Sequence, residues 1–377
     1  MFDILTLNKI AKCGTSLFSD AYTVSDSCES PDAIMVRSAA MHDMAFADNT
    51  LAIARAGAGV NNIPLDKCTA AGIAVFNTPG ANANAVKELV LCGLFLASRK
   101  IPAAMDWVKT LKGEGDQVGK LVEKGKSQFV GPEIMGKTLG VIGLGAIGAL
   151  VANAAVSLGM NVVGYLNPEL TVRGALAISP EVTMVDSVEE VYACADYLTL
   201  HIPCIPATKG CINNDTLALM KDGVRILNFA RGELVDNAAI LAALESGKVA
   251  SYVTDFPTDD QLGAAGVVAI PHLGASTPES EDNCAVMAAK ELIAYLEKGE
   301  IVNSVNLPEM KLGAPKGKRI CVIHEESALA AVIAAFGGVA ANIATASRKG
   351  VSYTVADWTG EAPAINADGI YRVRVIG

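Results

Sequence analysis

The chain has 377 residues, 51% of them hydrophobic and 19% charged, which is enough apolar material for two or three buried cores and excludes a largely disordered chain. Thirty basic residues against 40 acidic ones leave a formal charge of −10, so no basic face for nucleic acid or an anionic membrane is expected. A small anionic ligand must then be held by a few placed arginines or by helix N-termini.

Met1 to Lys9 lacks the apolar stretch of a secretory signal. No apolar run reaches the roughly 18 to 20 residues that span a bilayer. The nine cysteines are odd in number and never spaced C-x-x-C, which predicts buried thiols in a reducing cytoplasm, with no disulfide framework and no metal site.

In chain order, three short apolar runs come first: 33–36, 51–54 and 73–76. Each ends in polar or turn residues, as a buried parallel strand does. A helix follows over about 83–98, with Val86, Leu89, Val90 and Leu94 on one face. Residues 109–137, rich in lysine and glycine, read as mostly loop. The pattern then restarts with a strand at 138–142, a helix at 146–158 stopped by Gly159, and a strand at 162–166. Further strands are expected at 197–201, 225–228, 252–255 and 267–270. Thr277-Pro278 opens a long helix to about Glu297. Lys311 to Lys318 reads as a linker. Beyond it four short strands (319–324, 340–346, 351–357, 371–376) and one helix (327–336) suggest a small module that needs a partner surface.

The segment Gly143-Leu144-Gly145-Ala146-Ile147-Gly148 follows a predicted strand and opens a predicted helix. The first glycine makes a tight turn, the second lets a pyrophosphate approach the backbone, and the third lets helix and strand pack closely. The helix N-terminus offers unpaired N–H groups to the anion. An acid is expected at the end of the next strand to bind the ribose, but Leu166 and Asn167 stand there. Asn167 can still hydrogen-bond a ribose hydroxyl. The nearest base is Arg173, so NAD is expected ahead of NADP.

Three segments close later strands: Asn228 to Asp236 with Arg231, Thr254 to Asp260 with Asp255, and Ile270 to Ser280 with His272. An arginine directly after a buried strand can hold a carboxylate through its planar fork, or simply pair with Glu233 on the surface. His272 sits where active-site groups of open α/β sheets gather. A neighbouring carboxylate would raise its pKa and orient it for proton exchange.

These residues, together with Val36-Arg37-Ser38, Arg55-Ala56-Gly57-Ala58-Gly59-Val60-Asn61-Asn62 and Asn77-Thr78-Pro79-Gly80, resemble the D-isomer-specific 2-hydroxyacid dehydrogenases over residues 1 to about 306. The resemblance implies that His272 exchanges a proton and that Arg231 binds the substrate carboxylate and carbonyl. It implies that backbone N–H groups of Gly57, Ala58, Gly59 and Val60 help hold that carboxylate, with Arg37 and Arg55 on a phosphate. Asp255 would face the nicotinamide carboxamide, and His201, Pro203, Phe229 and Ala230 join the expected cofactor contacts. The family's acid partner is Glu. Here Asp260 takes its place by ungapped counting and Asp259 by the alternative alignment, either one methylene short.

From Lys318 on the chain resembles an ACT domain, a βαββαβ regulatory module. Its effector turn, His-x-Asn-x-Pro-Gly in that family, reads His324-Glu325-Glu326-Ser327-Ala328-Leu329 here. The added acid would repel a ligand carboxylate, which points to oligomer contacts instead. The expected fold class is α/β: two doubly wound parallel-sheet, Rossmann-like domains (1–95 with 278–306, and 96–277), a linker (307–317) and a small α+β module (318–377). The expected function is NAD-dependent oxidation of a small phosphorylated 2-hydroxy acid by a cytoplasmic homodimer or homotetramer. The alternatives are a 2-oxo-acid reductase of the same family and a non-catalytic NAD sensor.

Overall fold

The computed structural model describes residues 1–167, 178–337, 340–361 and 363–377, so Arg173 lies outside the described residues. In chain order the elements are β1 (Phe2–Leu7), α1 (Lys12–Thr15), β2 (Tyr22–Ser25), β3 (Ala33–Val36), β4 (Ala52–Arg55), α2 (Leu65–Ala70), β5 (Ala74–Asn77), α3 (Ala83–Ser98), α4 (Ile101–Lys109) and α5 (Val118–Gly125). Then come β6 (Thr138–Ile142), α6 (Ala146–Ser157), β7 (Asn161–Tyr165), β8 (Val182–Met184), α7 (Val188–Cys194), β9 (Tyr197–Leu200), α8 (Asn214–Leu219), β10 (Val224–Asn228), α9 (Asn237–Glu245), β11 (Val249–Thr254) and β12 (Val267–Ala269). The chain ends with α10 (Pro278–Lys298), β13 (Lys318–Glu325), α11 (Leu329–Ala335), β14 (Ala341–Arg348), β15 (Val351–Trp358) and β16 (Ile370–Ile376). Two compact units result, Met1–Asn82 with Pro278–Gly377, and Ala83–Thr277.

The first unit carries a parallel sheet in the order β2-β1-β3-β4-β5. Strands β3 to β5 are legible as apolar runs because both faces are covered. Met35, Ala54 and Phe76 pack with Leu292 and Tyr295 of α10, while Ile34, Ile53 and Val75 pack with Met41, Ile63 and Cys68. Strands β1 and β2 escape the sequence reading because each is only partly buried and offers no continuous apolar run.

The C-terminal module belongs to this same unit, contrary to the expected separate domain. Its antiparallel sheet runs β14-β15-β13-β16. Alternation along β13 explains the merger. Cys321 and Ile323 join the core around α10, whereas Ile320 and Val322 pack with Val332 of the module's own helix and with Phe336 just past its end. Polar straps add to this. Arg319 donates to the Lys298 carbonyl at 2.7 Å, Tyr353 to the Gly299 carbonyl at 2.9 Å, and Arg372 to the Ala71 carbonyl at 2.8 Å. Arg319 also pairs with Asp357 across β13 and β15 at 2.8 Å, both side chains fully buried. Burial alone would raise the Asp357 carboxyl, but the Arg319 and Asn342 hydrogen bonds outweigh it and hold it below its ordinary value. The second helix of the βαββαβ pattern does not form among the described residues, which run as bends and irregular chain between β15 and β16. His324 points inward, with Nε2 2.8 Å from the Thr354 hydroxyl.

The second unit is built on a parallel sheet ordered β12-β11-β10-β9-β6-β7-β8. The expected boundary at 95/96 moves to 82/83. Helix α3 places Val86, Val90 and Leu94 in the core beside Val141, Leu227 and Phe229, and a side chain at Gly93 would strike the Phe229 ring. The region expected to be loop, 109–137, contains α5 and two short 3-10 turns. Few of its residues are buried, so it lacks a long apolar stripe. Trp107 of α4 holds it by packing on Phe129, ring centroids 5.4 Å apart, and by lying over Gly125. Among the described residues no helix is long and apolar enough to cross a membrane.

Candidate active site

The dinucleotide turn joins β6 to α6. Gly143 adopts φ +94, where a side chain would be strained, and its N–H donates to the Tyr165 carbonyl at 2.9 Å. A Cβ on Gly143 would lie 2.6 Å from the His201 carbonyl oxygen, and one on Gly148 only 1.9 Å from the Gly143 carbonyl oxygen. A Cβ on Gly145 would meet nothing within 4 Å. Two glycines are therefore required by the protein's own packing, and the middle one opens onto unfilled space. No side chain caps α6, so the N–H groups of Ala146, Ile147 and Gly148 have no capping side chain and no acceptor inside the helix. An opening beside a helix start fits a pyrophosphate.

The position of the expected ribose acid is taken by Leu166, which packs on the apolar cluster of the same unit, followed by the partly buried Asn167. Just past β9, the His201 N–H donates to the Ile142 carbonyl at 2.8 Å, and its Nε2 lies 3.0 Å from the Thr199 hydroxyl. The His201 side chain keeps some surface exposure, yet desolvation pushes its pKa down to about 3, so the ring is neutral at physiological pH. Thr208 fixes the Pro203 loop by donating to the Pro203 carbonyl at 2.6 Å and accepting from the Ile205 N–H at 2.9 Å.

Strand β10 delivers Phe229, Ala230 and Arg231. Asn228 at its end is fully buried and holds this loop: its Nδ2 donates to the Arg231 carbonyl at 2.8 Å, and its Oδ1 accepts from the Ala230 N–H at 3.2 Å. Tyr252 supports it from β11 at 3.4 Å. Sequence reading placed Asn228 in the motif without giving it a role, although a lone amide closing an apolar strand is a visible signal. The Arg231 guanidinium is exposed, folds one arm onto the Ala230 carbonyl, and makes no ion pair with Glu233.

Asp255 directly follows β11 and is 1% exposed, with both carboxylate oxygens buried and lacking a well-aligned hydrogen-bond donor. Burial raises its pKa, while the charges of His272 and Arg231 and the backbone N–H of Gly274 pull the other way. His272, Arg231 and this carboxylate therefore lie close enough to interact. The His272 ring packs on Phe256, centroids 4.5 Å apart. A buried acceptor with room for further donors fits the amide N–H groups of a nicotinamide.

The two candidates for the acid partner lie on a short turn after β11. Neither Asp259 nor Asp260 bonds His272. Thr258 and Gln261 form a reciprocal cap around the short turn Asp259–Gln261, and Asn237 accepts from both of them, at 3.0 and 2.8 Å. That turn leaves both aspartates exposed, and the Asp260 carboxylate accepts from Asn237 at 3.3 Å. The carboxylate that interacts with His272 is Asp255, whose pKa the imidazole helps to lower against the effect of burial.

In the first unit, Arg55 ends β4 and its Nε donates to the Arg37 carbonyl at 3.0 Å. Gly57 has φ +153, and a Cβ there would lie 1.9 Å from Arg55 Nη1. The loop Gly57 to Val60 is tied by Thr78 N–H on the Gly57 carbonyl at 3.1 Å and by Asn77 Nδ2 on the Ala58 carbonyl. Arg37 forms an ion pair with Glu281 at 2.8 Å, both side chains about 40% exposed. Among the described residues no cluster of histidines, cysteines and acids could hold a metal, and all nine cysteines are free.

A glycine turn feeding an open helix start, on a parallel seven-stranded sheet, defines a dinucleotide-binding α/β protein. Residues 91–274 match the family described as D-isomer specific 2-hydroxyacid dehydrogenase, NAD binding domain, and this part of the chain is such a domain. The chain is 38% identical over 280 residues to a D-3-phosphoglycerate dehydrogenase of Methanocaldococcus jannaschii, covering 72% of this chain and 51% of the relative. It is 37% identical over 288 residues to that of Bacillus subtilis, covering 74% and 52%. The chain spans about half the length of these curated relatives. Among solved structures, a glyoxylate reductase from Paecilomyes thermophila superposes with TM-score 0.66 at 27% identity, covering 81% of this chain and 98% of that one. An NAD+-bound 3-phosphoglycerate dehydrogenase of Entamoeba histolytica has the same fold, with TM-score 0.63 at 23% identity over 81% and 98%.

Proposed function

We propose that the protein oxidises a small phosphorylated 2-hydroxy acid with NAD, 3-phospho-D-glycerate being the first candidate and 3-phosphohydroxypyruvate the product, the opening step of serine biosynthesis. One observation carries the reading: Arg231 follows β10, the buried Asp255 follows β11 and His272 follows β12, so all three come from the ends of neighbouring strands in the unit that also bears the glycine turn. The guanidinium fork of Arg231 neutralises the substrate carboxylate and polarises the oxygen at C2. His272 takes the hydroxyl proton as that oxygen becomes a carbonyl. Bound at the Gly143 turn, NAD supplies the hydride acceptor. Asp255 accepts hydrogen bonds from the carboxamide and fixes its orientation, while neutral His201 adds no competing charge. The N–H groups of Ala58 to Val60 bind the substrate carboxylate, the Gly57 N–H being held by the Arg55 carbonyl at 2.8 Å, and Arg37 and Arg55 bind its phosphate. The names of the curated relatives support the phosphorylated substrate. We place the protein in the cytoplasm, in keeping with nine free thiols, as a dimer or tetramer using the exposed apolar residues Ile101, Met105 and Val108 of α4.

A second reading, reduction of an unphosphorylated 2-oxo acid, is favoured by the ion pair of Arg37 with Glu281, which engages a guanidinium that a phosphate would need. A substrate panel with NAD and NADP side by side, followed by NADH or NADPH absorbance, decides between them. Turnover of phosphoglycerate with NAD supports the first reading. Preference for glyoxylate or hydroxypyruvate supports the second. No turnover while NAD still binds would contradict both and point to a sensor.

A further inference from the structure

The first unit contains a buried acid that the chemistry above does not use. Glu291 lies within α10 and is 5% exposed. Its Oε1 accepts from Asn303 Nδ2 at 2.7 Å, and its Oε2 is buried without a hydrogen-bond partner. Ionising a carboxyl in such a place is costly. Burial accordingly pushes Glu291 up to about 8, against a smaller opposing pull from the Asn303 amide.

Asn303 holds an unusual backbone conformation, φ +60, in the segment that leaves α10. Its carbonyl accepts the Asn77 N–H at 3.4 Å. The next residues continue along the free edge of β5. Ser304 bridges Phe76, and its hydroxyl and the Val305 N–H both donate to the Val75 carbonyl, at 2.9 and 2.8 Å. Asn77 and Thr78 are the two residues that tie down the Ala58 and Gly57 carbonyls. An unbroken series of contacts therefore runs from the Glu291 carboxyl through Asn303 and Asn77 to the Gly57–Val60 loop.

We propose that Glu291 is a positioning residue: by fixing the Asn303 side chain it holds the Asn303 carbonyl on Asn77 and so sets the Gly57–Val60 loop for the substrate carboxylate. The role of that loop rests on the function proposed above, but the positioning itself does not. The donor-to-acceptor bond survives in Glu291→Gln, whose amide oxygen can still accept from Asn303. It is lost in Glu291→Leu.

The test compares these variants with Asn303→Gly, which keeps the left-handed backbone and removes only the amide. Hydrogen exchange of residues 57–60 and 76–80 is followed by mass spectrometry, together with kcat, KM for 3-phosphoglycerate and NAD affinity. Glu291→Leu and Asn303→Gly are expected to accelerate exchange in both segments and to raise KM about 3- to 10-fold, the worth of one hydrogen bond, with NAD affinity unchanged. Glu291→Gln is expected to match wild type in every readout. Should Glu291→Leu fail to fold, Asn303→Gly carries the test. Unchanged exchange in the folded disrupting variants overturns the proposal, as does a Gln variant that behaves like Leu. If no hydroxy acid is turned over, the exchange data still decide the positioning claim, and only the function proposed above fails.

Discussion

The buried amide of Asn228 donates to the carbonyl of Arg231 at 2.8 Å while its oxygen accepts the Ala230 N–H at 3.2 Å. One side chain therefore shapes the loop that presents the guanidinium. Asn228→Ala leaves a donor and an acceptor of that loop unpaired, at a cost of about 1–3 kcal/mol in stability. The expected outcome is a lowered denaturation midpoint and a roughly 10-fold or greater rise in KM for the hydroxy acid, with little change in NAD affinity. Denaturant titration and steady-state kinetics check both.

The three fingerprint glycines separate into packing and binding roles. A Cβ at Gly148 would lie 1.9 Å from the Gly143 carbonyl oxygen, whereas one at Gly145 meets nothing. Gly145→Ala should fold with stability within about 1 kcal/mol of wild type, since its φ of −75 suits alanine. It should nonetheless weaken NAD binding about 10-fold or more. Gly148→Ala should be destabilised by several kcal/mol or fail to fold, since backbone must move to relieve the overlap. Thermal melts with and without NAD separate the two cases.

The ion pair of Arg37 with Glu281 at 2.8 Å places a carboxylate in competition with any phosphate at that guanidinium. The pair is exposed and worth at most about 1 kcal/mol. Glu281→Gln is therefore expected to lower KM for phosphoglycerate about 2- to 5-fold and to leave KM for D-glycerate unchanged. Arg37→Ala should raise the first and spare the second. Kinetics on the two substrates provide the check.

Glu291 makes stability depend on pH in a definite sense. Its folded pKa, about 8, lies above the ordinary 4.5, so the folded protein binds more protons than the unfolded chain between those values. The acid's contribution is fully present below about 4.5 and is lost as pH rises through about 8, by an amount on the order of a few kcal/mol. Glu291→Gln should leave the melting temperature little changed near pH 5 and raise it relative to wild type at pH 8 to 9. Scanning calorimetry across that range measures the difference.

Much of the scaffold was legible in the chain because parallel strands buried on both faces write continuous apolar runs, as at 33–36 and 138–142. Partly exposed β1 and β2 and surface helix α5 write no such signal. The C-terminal module looked separable because its linker is rich in glycine, proline and lysine. Its tie to α10 depends on which face Cys321 and Ile323 present, and alternation alone does not name the partner. In the site, Arg231, His272 and Asp255 come together from three strand ends. Counting along the chain could not foresee that the Thr258–Gln261 cap leaves Asp259 and Asp260 exposed. A turn of that kind is set by side-chain bonds to Asn237, a residue far away in sequence.

The most direct test of the account is the turnover of His272→Ala and Arg231→Ala on the best hydroxy acid at saturating NAD, with NAD affinity measured in parallel. Each substitution is expected to lower kcat/KM by about 10²- to 10⁴-fold while NAD binds as in wild type. Near-wild-type turnover in His272→Ala at saturating substrate would contradict the assignment of the proton transfer and, with it, the proposed chemistry.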